Sequence, residues 1–201
     1  MRSQGHIGLN ALGASLAVLL YPGNPLDPAL FTWVGFTVVL APVPDYDIPI
    51  GLRHRGFTHT LLGALTFSTP LFLAVSYISS SWLLGVIAFL GVLSAFLLHF
   101  LGDLMTHTPF KPLYPLSDRE IGGWGLFSTS DEAANRVFFK IGTTALALSM
   151  LFRLSLVMDL VSFIISATAV LVLLGVLFEM VKLTTKPLSE SRKRPPRPGP
   201  R

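Results

Sequence analysis

The chain has 201 residues, of which 51% are hydrophobic and only 13% charged, with a formal net charge of +4. Together with a mean hydropathy of +0.63, this composition excludes an ordinary soluble domain and indicates a membrane protein with several apolar segments. The absence of cysteine excludes disulfides, thiolate zinc sites and cysteine nucleophiles.

The first apolar segment runs from Ile7 to Leu20 and stops at Tyr21-Pro22-Gly23-Asn24-Pro25, where proline and glycine end a helix. Arg2 ahead of it resembles the charged start of a signal peptide. No small-x-small cleavage site follows before the prolines, so a retained helix is expected. The second segment, Ala29 to Val43, is also shorter than the ~20 residues a bilayer core requires. These two are expected to be half-buried or re-entrant and to return to one side. The third segment, Phe57 to Ser79, is long enough to span, and the polar break Ser79-Ser80-Ser81 leads into the fourth, Trp82 to Met105. A polar region from His107 to Asn135 follows, then Val137 to Phe152 and Leu160 to Val181, linked by a turn with Arg153 and Asp159. The expected fold is all-α: a polytopic membrane helical bundle of about six segments, with residues 1–181 as one embedded domain.

Residues 182–201 carry seven basic side chains against Glu190 alone. Their prolines deny a helix, so this stretch is expected to be a disordered polybasic arm. Its natural partner is the anionic headgroup surface of membrane lipids rather than nucleic acid. Placing both termini in the cytoplasm leaves Arg153 as the one basic residue of 15 in an outer loop, the distribution that basic-loop retention favours. A multi-pass cell-membrane protein with both termini cytoplasmic is expected.

Against this apolar background, Pro44-Asp45-Tyr46-Asp47 and His54-Arg55-Gly56-Phe57-Thr58-His59 concentrate two carboxylates, two imidazoles and a guanidinium. Ionisable groups at a membrane are functional-site candidates. The topology adds partners. His6 starts the first segment, Asp45 and Asp47 end the second, His54 and His59 open the third, and His99 and Asp103 close the fourth. All seven fall on one membrane face. The four-residue spacing of His99 and Asp103 places both on one side of a helix. Nitrogen and oxygen donors without sulfur suit one or two divalent ions such as Zn²⁺, Mn²⁺ or Fe²⁺, which activate water and polarise phosphoryl or carbonyl oxygens. Arg55 is expected to pair with an anionic substrate group, and Thr58 or Thr106 to fix the ligands' geometry. His107, one turn past Asp103, is a reserve ligand.

Taken singly, each residue has a plainer role. His6 fits an interfacial position, Asp45 and Asp47 a capped turn, and His54 a basic loop. Thr58 would N-cap the third segment, and His99 with Asp103 would form an interhelical hydrogen-bonding pair. Their convergence on one face favours a metal site. No Gly-x-Ser-x-Gly elbow, Walker loop or His-Glu-x-x-His pair occurs.

Gly5-His6, Val43-Pro44-Asp45-Tyr46-Asp47, His54 to Leu62, His99 to Thr106 and Pro112-Leu113-Tyr114-Pro115 together resemble a known family. It comprises the membrane-bound metal-dependent hydrolases related to the bacterial LexA-binding inner-membrane protein. The resemblance covers about residues 5–116 and implies a metal-dependent hydrolase without naming a substrate or a protein partner. That family often carries a histidine after the second aspartate, where this chain has Ile48. The expected function is an integral membrane hydrolase acting on a lipid or other phosphoester. A divalent-metal or proton transporter using the same residues, and a non-catalytic membrane scaffold, are the alternatives.

Overall fold

A computed structural model describes residues 1–47, 50–51 and 53–184, the last three as backbone only. Ile48 and the part of the expected polybasic tail beyond Thr184 lie outside the described residues. The described chain is six α-helices, α1 Ser3–Leu20, α2 Pro28–Val39, α3 Leu61–Ser79, α4 Trp82–Leu104, α5 Glu132–Ser155 and α6 Leu160–Thr184. A two-residue antiparallel pair, β1 Pro109–Phe110 with β2 Ile121–Gly122, folds the loop after α4. Helices α3 to α6 are long and apolar enough to cross a membrane. As expected, α1 and α2 fall outside that set: α1 carries polar groups along its length, and α2 has 12 residues, about 18 Å of helix.

The helix ends follow local chemistry. Asp27, Thr60, Ser81 and Asp131 each accept a backbone N–H of the following first turn, satisfying donors that a helix start leaves open. Several boundaries differ from expectation, among them the start of α1 at Ser3 instead of Ile7. The second segment does not continue to Val43, because Pro42 and Pro44 cannot extend an α-helix; Val43–Asp47 forms a 3-10 turn instead. The third starts at Leu61, since Thr60 rather than Thr58 provides the cap and Phe57–His59 is a separate 3-10 turn. The fifth starts at Glu132, because the Asp131 cap extends the helix through polar residues that hydropathy alone assigns to a loop.

Helix α1 is the internal element. It lies against α5, α4 and α2 and buries Gly5, His6, Gly8, Asn10 and Ala14. Its crossing with α5 is so close that a Cβ at Gly142 would sit 1.7 Å from the Gly8 carbonyl oxygen. Small residues permit such backbone approach between membrane helices. Asn135 of α5 fastens the start of α1, its Oδ1 accepting the Arg2 N–H at 2.9 Å. Phe96, Phe100 and Phe110 form an apolar cluster with Ala64 and Val92, which backs the ends of α3 and α4. From Leu160 to Val181 no residue of α6 is buried against the protein, as suits a helix solvated by lipid.

Candidate metal centre

The polar residues that begin α1, end α4 and occupy the two 3-10 turns meet in one buried cluster. His6, His59 and His99 are fully buried. The rings of His6 and His99 stack with centroids 3.5 Å apart and planes 7° from parallel. This contact needs Gly102, one helical turn from His99, because a Cβ there would lie 3.0 Å from His6 Nδ1.

Five side chains carry the centre. His59 Nε2 lies 3.3 Å from His99 Nε2, 3.3 Å from Asp103 Oδ2 and 3.6 Å from Asp45 Oδ1. His99 Nε2 is 3.6 Å from Asp45 Oδ1 and 3.8 Å from Asp103 Oδ2. The other carboxylate oxygens turn to His6, whose Nε2 is 3.5 Å from Asp103 Oδ1 and 3.8 Å from Asp45 Oδ2. Each carboxylate thus faces His59 and His99 with one oxygen and His6 with the other.

The protons of two imidazoles are accounted for on their far sides. His99 Nδ1–H donates to the Ala41 carbonyl at 2.8 Å. The Thr58 hydroxyl donates its one proton to Asp47 Oδ2 at 2.9 Å and therefore accepts from His59 Nδ1 at 3.1 Å. Both Nε2 atoms are then bare lone pairs pointing at one another and at carboxylates, an arrangement that repels unless a cation or proton lies between. His6 Nδ1, His6 Nε2 and Asp103 Oδ2 are buried without a hydrogen-bond partner, which is costly in a fold that satisfies nearly every buried polar atom. Donors around a divalent ion with bonds of ~2.1 Å lie ~3.4 Å apart in tetrahedral geometry, close to the spacings here. The donor set, its bare nitrogens and its orphaned atoms fit a divalent cation.

Electrostatics point the same way. Burial alone would raise the Asp45 carboxyl, but the imidazoles of His59 and His99 outweigh it and hold Asp45 below the ordinary carboxylate range. Burial alone would lower His59, yet Asp103 and Asp45 hold it above its usual value. The cluster attracts positive charge, so protons compete with metal and metal affinity falls as the solution is acidified.

The remaining sequence candidates surround these five. Asp47 is buried and serves Thr58, the Arg55 N–H at 3.2 Å and His54 Nδ1 at 3.1 Å. It therefore holds the back of His59. His54 is part-exposed with its ring edge-on to His59, and with Asp45 and His59 it forms a further group of possible ligands within 4.8 Å. Arg55 is turned inward. Its side chain is 8% exposed and Nη2 lies 3.0 Å from Asp103 Oδ1, while the guanidinium also donates to Thr106 Oγ1 and the Thr108 carbonyl. A left-handed φ of 58° at Arg55 lets its N–H face Asp47 while its side chain reaches Asp103. Arg55 is placed to balance the charge of Asp103. His107 is exposed in the following loop and, among the described residues, belongs to none of the possible ligand groups. The Ala41 carbonyl and Gly102 escaped the sequence reading, since one is a backbone atom and the other lacks a side chain.

Gly102→Ala gains up to ~1 kcal/mol of helix propensity but sets a Cβ 2.7 Å from Met1 Sδ and 3.0 Å from His6 Nδ1. Its net effect on stability is therefore expected to be small, while metal binding weakens roughly tenfold through displacement of His6. Competition against a chromogenic chelator measures the second effect and thermal unfolding the first.

A bundle of membrane-length helices with a buried His/Asp cluster at one end defines an integral membrane protein with a potential metal centre. The chain belongs to the YdjM inner membrane protein family, whose model matches residues 1–184. No curated protein and no solved structure matches it.

Proposed function

We propose that this protein is a membrane hydrolase that cleaves a phosphoester at the headgroup level with a divalent metal held by His6, Asp45, His59, His99 and Asp103. The observation that carries this reading is the meeting of three buried imidazoles and two carboxylates with bare nitrogens facing inward. A divalent cation, one or two of Zn²⁺, Mn²⁺ or Fe²⁺, would supply Lewis-acid polarisation and an activated water there.

The chain's own residues set the conditions. Ala41 and Thr58 hold the protons of His99 and His59 at Nδ1 and so keep both Nε2 atoms available as donors. Arg55 neutralises part of the Asp103 charge. Asp45, with 14% of its side chain exposed, is the one member of the five that opens to solvent, so substrate approaches from its side. Phe100 and Phe110 pack against His59 and exclude water from behind. The placement of basic residues supports a cytoplasm-facing site, with membrane lipids as neighbours.

Purified protein loaded with each metal is expected to hydrolyse a soluble or lipid phosphomonoester, to lose turnover on chelation, and to lose it in His99→Ala. Absence of turnover with every metal and both substrate types would overturn the hydrolase reading. Metal flux across proteoliposomes in its place would support the transporter.

A further inference from the structure

We propose that the open pocket beside the metal centre binds a phosphate group through Arg2 and Arg136, which makes these two residues the anion-recognition elements of the site. The inference rests on the hydrolase reading for its purpose, but on separate residues for its geometry.

Two cavities of about 540 Å³ each flank His54. The one beneath Arg53, Arg55 and Lys111 includes none of the five central donors; Arg55 there is committed to Asp103, and Lys111 pairs with Asp118 at 2.9 Å. The other cavity reaches the centre directly, because Asp45 lines it alongside His54, Arg2, Glu132 and Arg136. Asp45 touches three imidazoles at 3.6–3.8 Å on its inner side. A ligand in this cavity therefore sits against the exposed donor of the centre.

The guanidiniums on the cavity rim select the ligand. Arg2 comes from the start of α1 and Arg136 from the first turns of α5, and their side chains are 50% and 51% exposed. Glu132 lies between them, 2.9 Å from Arg2 Nη1 and 4.0 Å from Arg136 Nη2. Two guanidiniums thus share one carboxylate, leaving a net positive rim with free N–H donors; Asp45 on the inner wall offsets that charge, and a divalent cation held by Asp45 would in turn offset Asp45. Guanidiniums in such pairs match the oxygens of a phosphate bidentately. The Arg2 backbone is held by Asn135, which is itself buried and bonded to Thr129 and Asp131 carbonyls, so Arg2 is presented from a fixed position. The cavity exceeds what a bare phosphate needs and admits the group to which it is esterified.

The test uses metal-loaded, detergent-purified protein and two probes, inorganic phosphate and dihexanoyl phosphatidic acid, with affinity read by thermal shift. Arg2→Gln and Arg136→Gln are each expected to weaken binding of at least one probe by roughly tenfold while metal content stays at the wild-type level. Glu132→Gln is expected to strengthen it, because both guanidiniums are released; this opposite sign cannot come from misfolding. Preference for the phosphatidic acid assigns the pocket to a lipid headgroup, and equal affinity assigns it to a free phosphate group. Affinities for both probes unchanged in all three variants would overturn the proposal. Because the readout is binding, arginine-dependent affinity without turnover would uphold the pocket and reject the hydrolase, whereas turnover with arginine-independent affinity would do the reverse.

Discussion

Asp103→Asn is expected to abolish metal binding and to destabilise the protein even without metal, by about 3–5 kcal/mol. Asp103 is nearly inaccessible and meets Arg55 at 3.0 Å, the Met1 amino group at 2.8 Å and three imidazoles within 3.8 Å. Neutralising it strands the buried Arg55 guanidinium, whose other partners are a hydroxyl and a carbonyl. Removing one partner of a buried pair leaves the other's desolvation uncompensated, which is why the cost exceeds the worth of an exposed ion pair. For a chain of this size that corresponds to a fall in Tm on the order of 10 °C. Thermal unfolding of chelated wild type and variant measures it, and an unchanged Tm would show that Arg55 does not depend on Asp103.

Asp45→Asn is expected to lose metal as completely while costing much less stability. No guanidinium or ammonium group is hydrogen-bonded to Asp45 among the described residues; its contacts are imidazoles. Its carboxyl is held below the ordinary value by His59 and His99 against the opposing effect of burial. That contribution is therefore present at neutral pH and is lost only as the pH falls through the depressed value. At neutral pH the substitution removes an attraction to imidazoles, worth about 1–2 kcal/mol among typical substitutions. The contrast separates the two carboxylates, one holding metal and fold together, the other holding metal from the open side. Elemental analysis paired with unfolding of both variants checks it. Equal destabilisation would contradict the division.

Much of this arrangement was legible from the chain because polar residues are rare in it. A His or Asp at the end of an apolar run has few reasons to be there, and alternation of segments across a membrane assigns each to a face. That logic places His6, Asp45, Asp47, His54, His59, His99 and Asp103 on one face. It does not give side-chain direction within a loop. Asp47 and His54 are as close in sequence to the centre as Asp45 and His59, yet Asp47 faces Thr58 and the Arg55 backbone. The inward turn of Arg55 depends on Asp103, Thr106 and Thr108, about fifty residues away, and no local pattern encodes it. Gly102 matters through what it lacks, and Ala41 through a carbonyl every residue has. Arg2 and Arg136 counted in the sequence only as charges that orient the chain, because their meeting across Glu132 needs the α1–α5 crossing that Gly8 and Gly142 permit.

The cluster of His6, Asp45, His59, His99 and Asp103 is proposed as a divalent-metal centre. Its most direct test is the metal content of protein purified without chelator, then reconstituted with Zn²⁺, Mn²⁺ and Fe²⁺ in turn, beside Asp45→Asn treated identically. About one or two tightly held ions per wild-type chain and near-complete loss in the variant are expected. Wild-type protein that retains none of the three ions after reconstitution would contradict it.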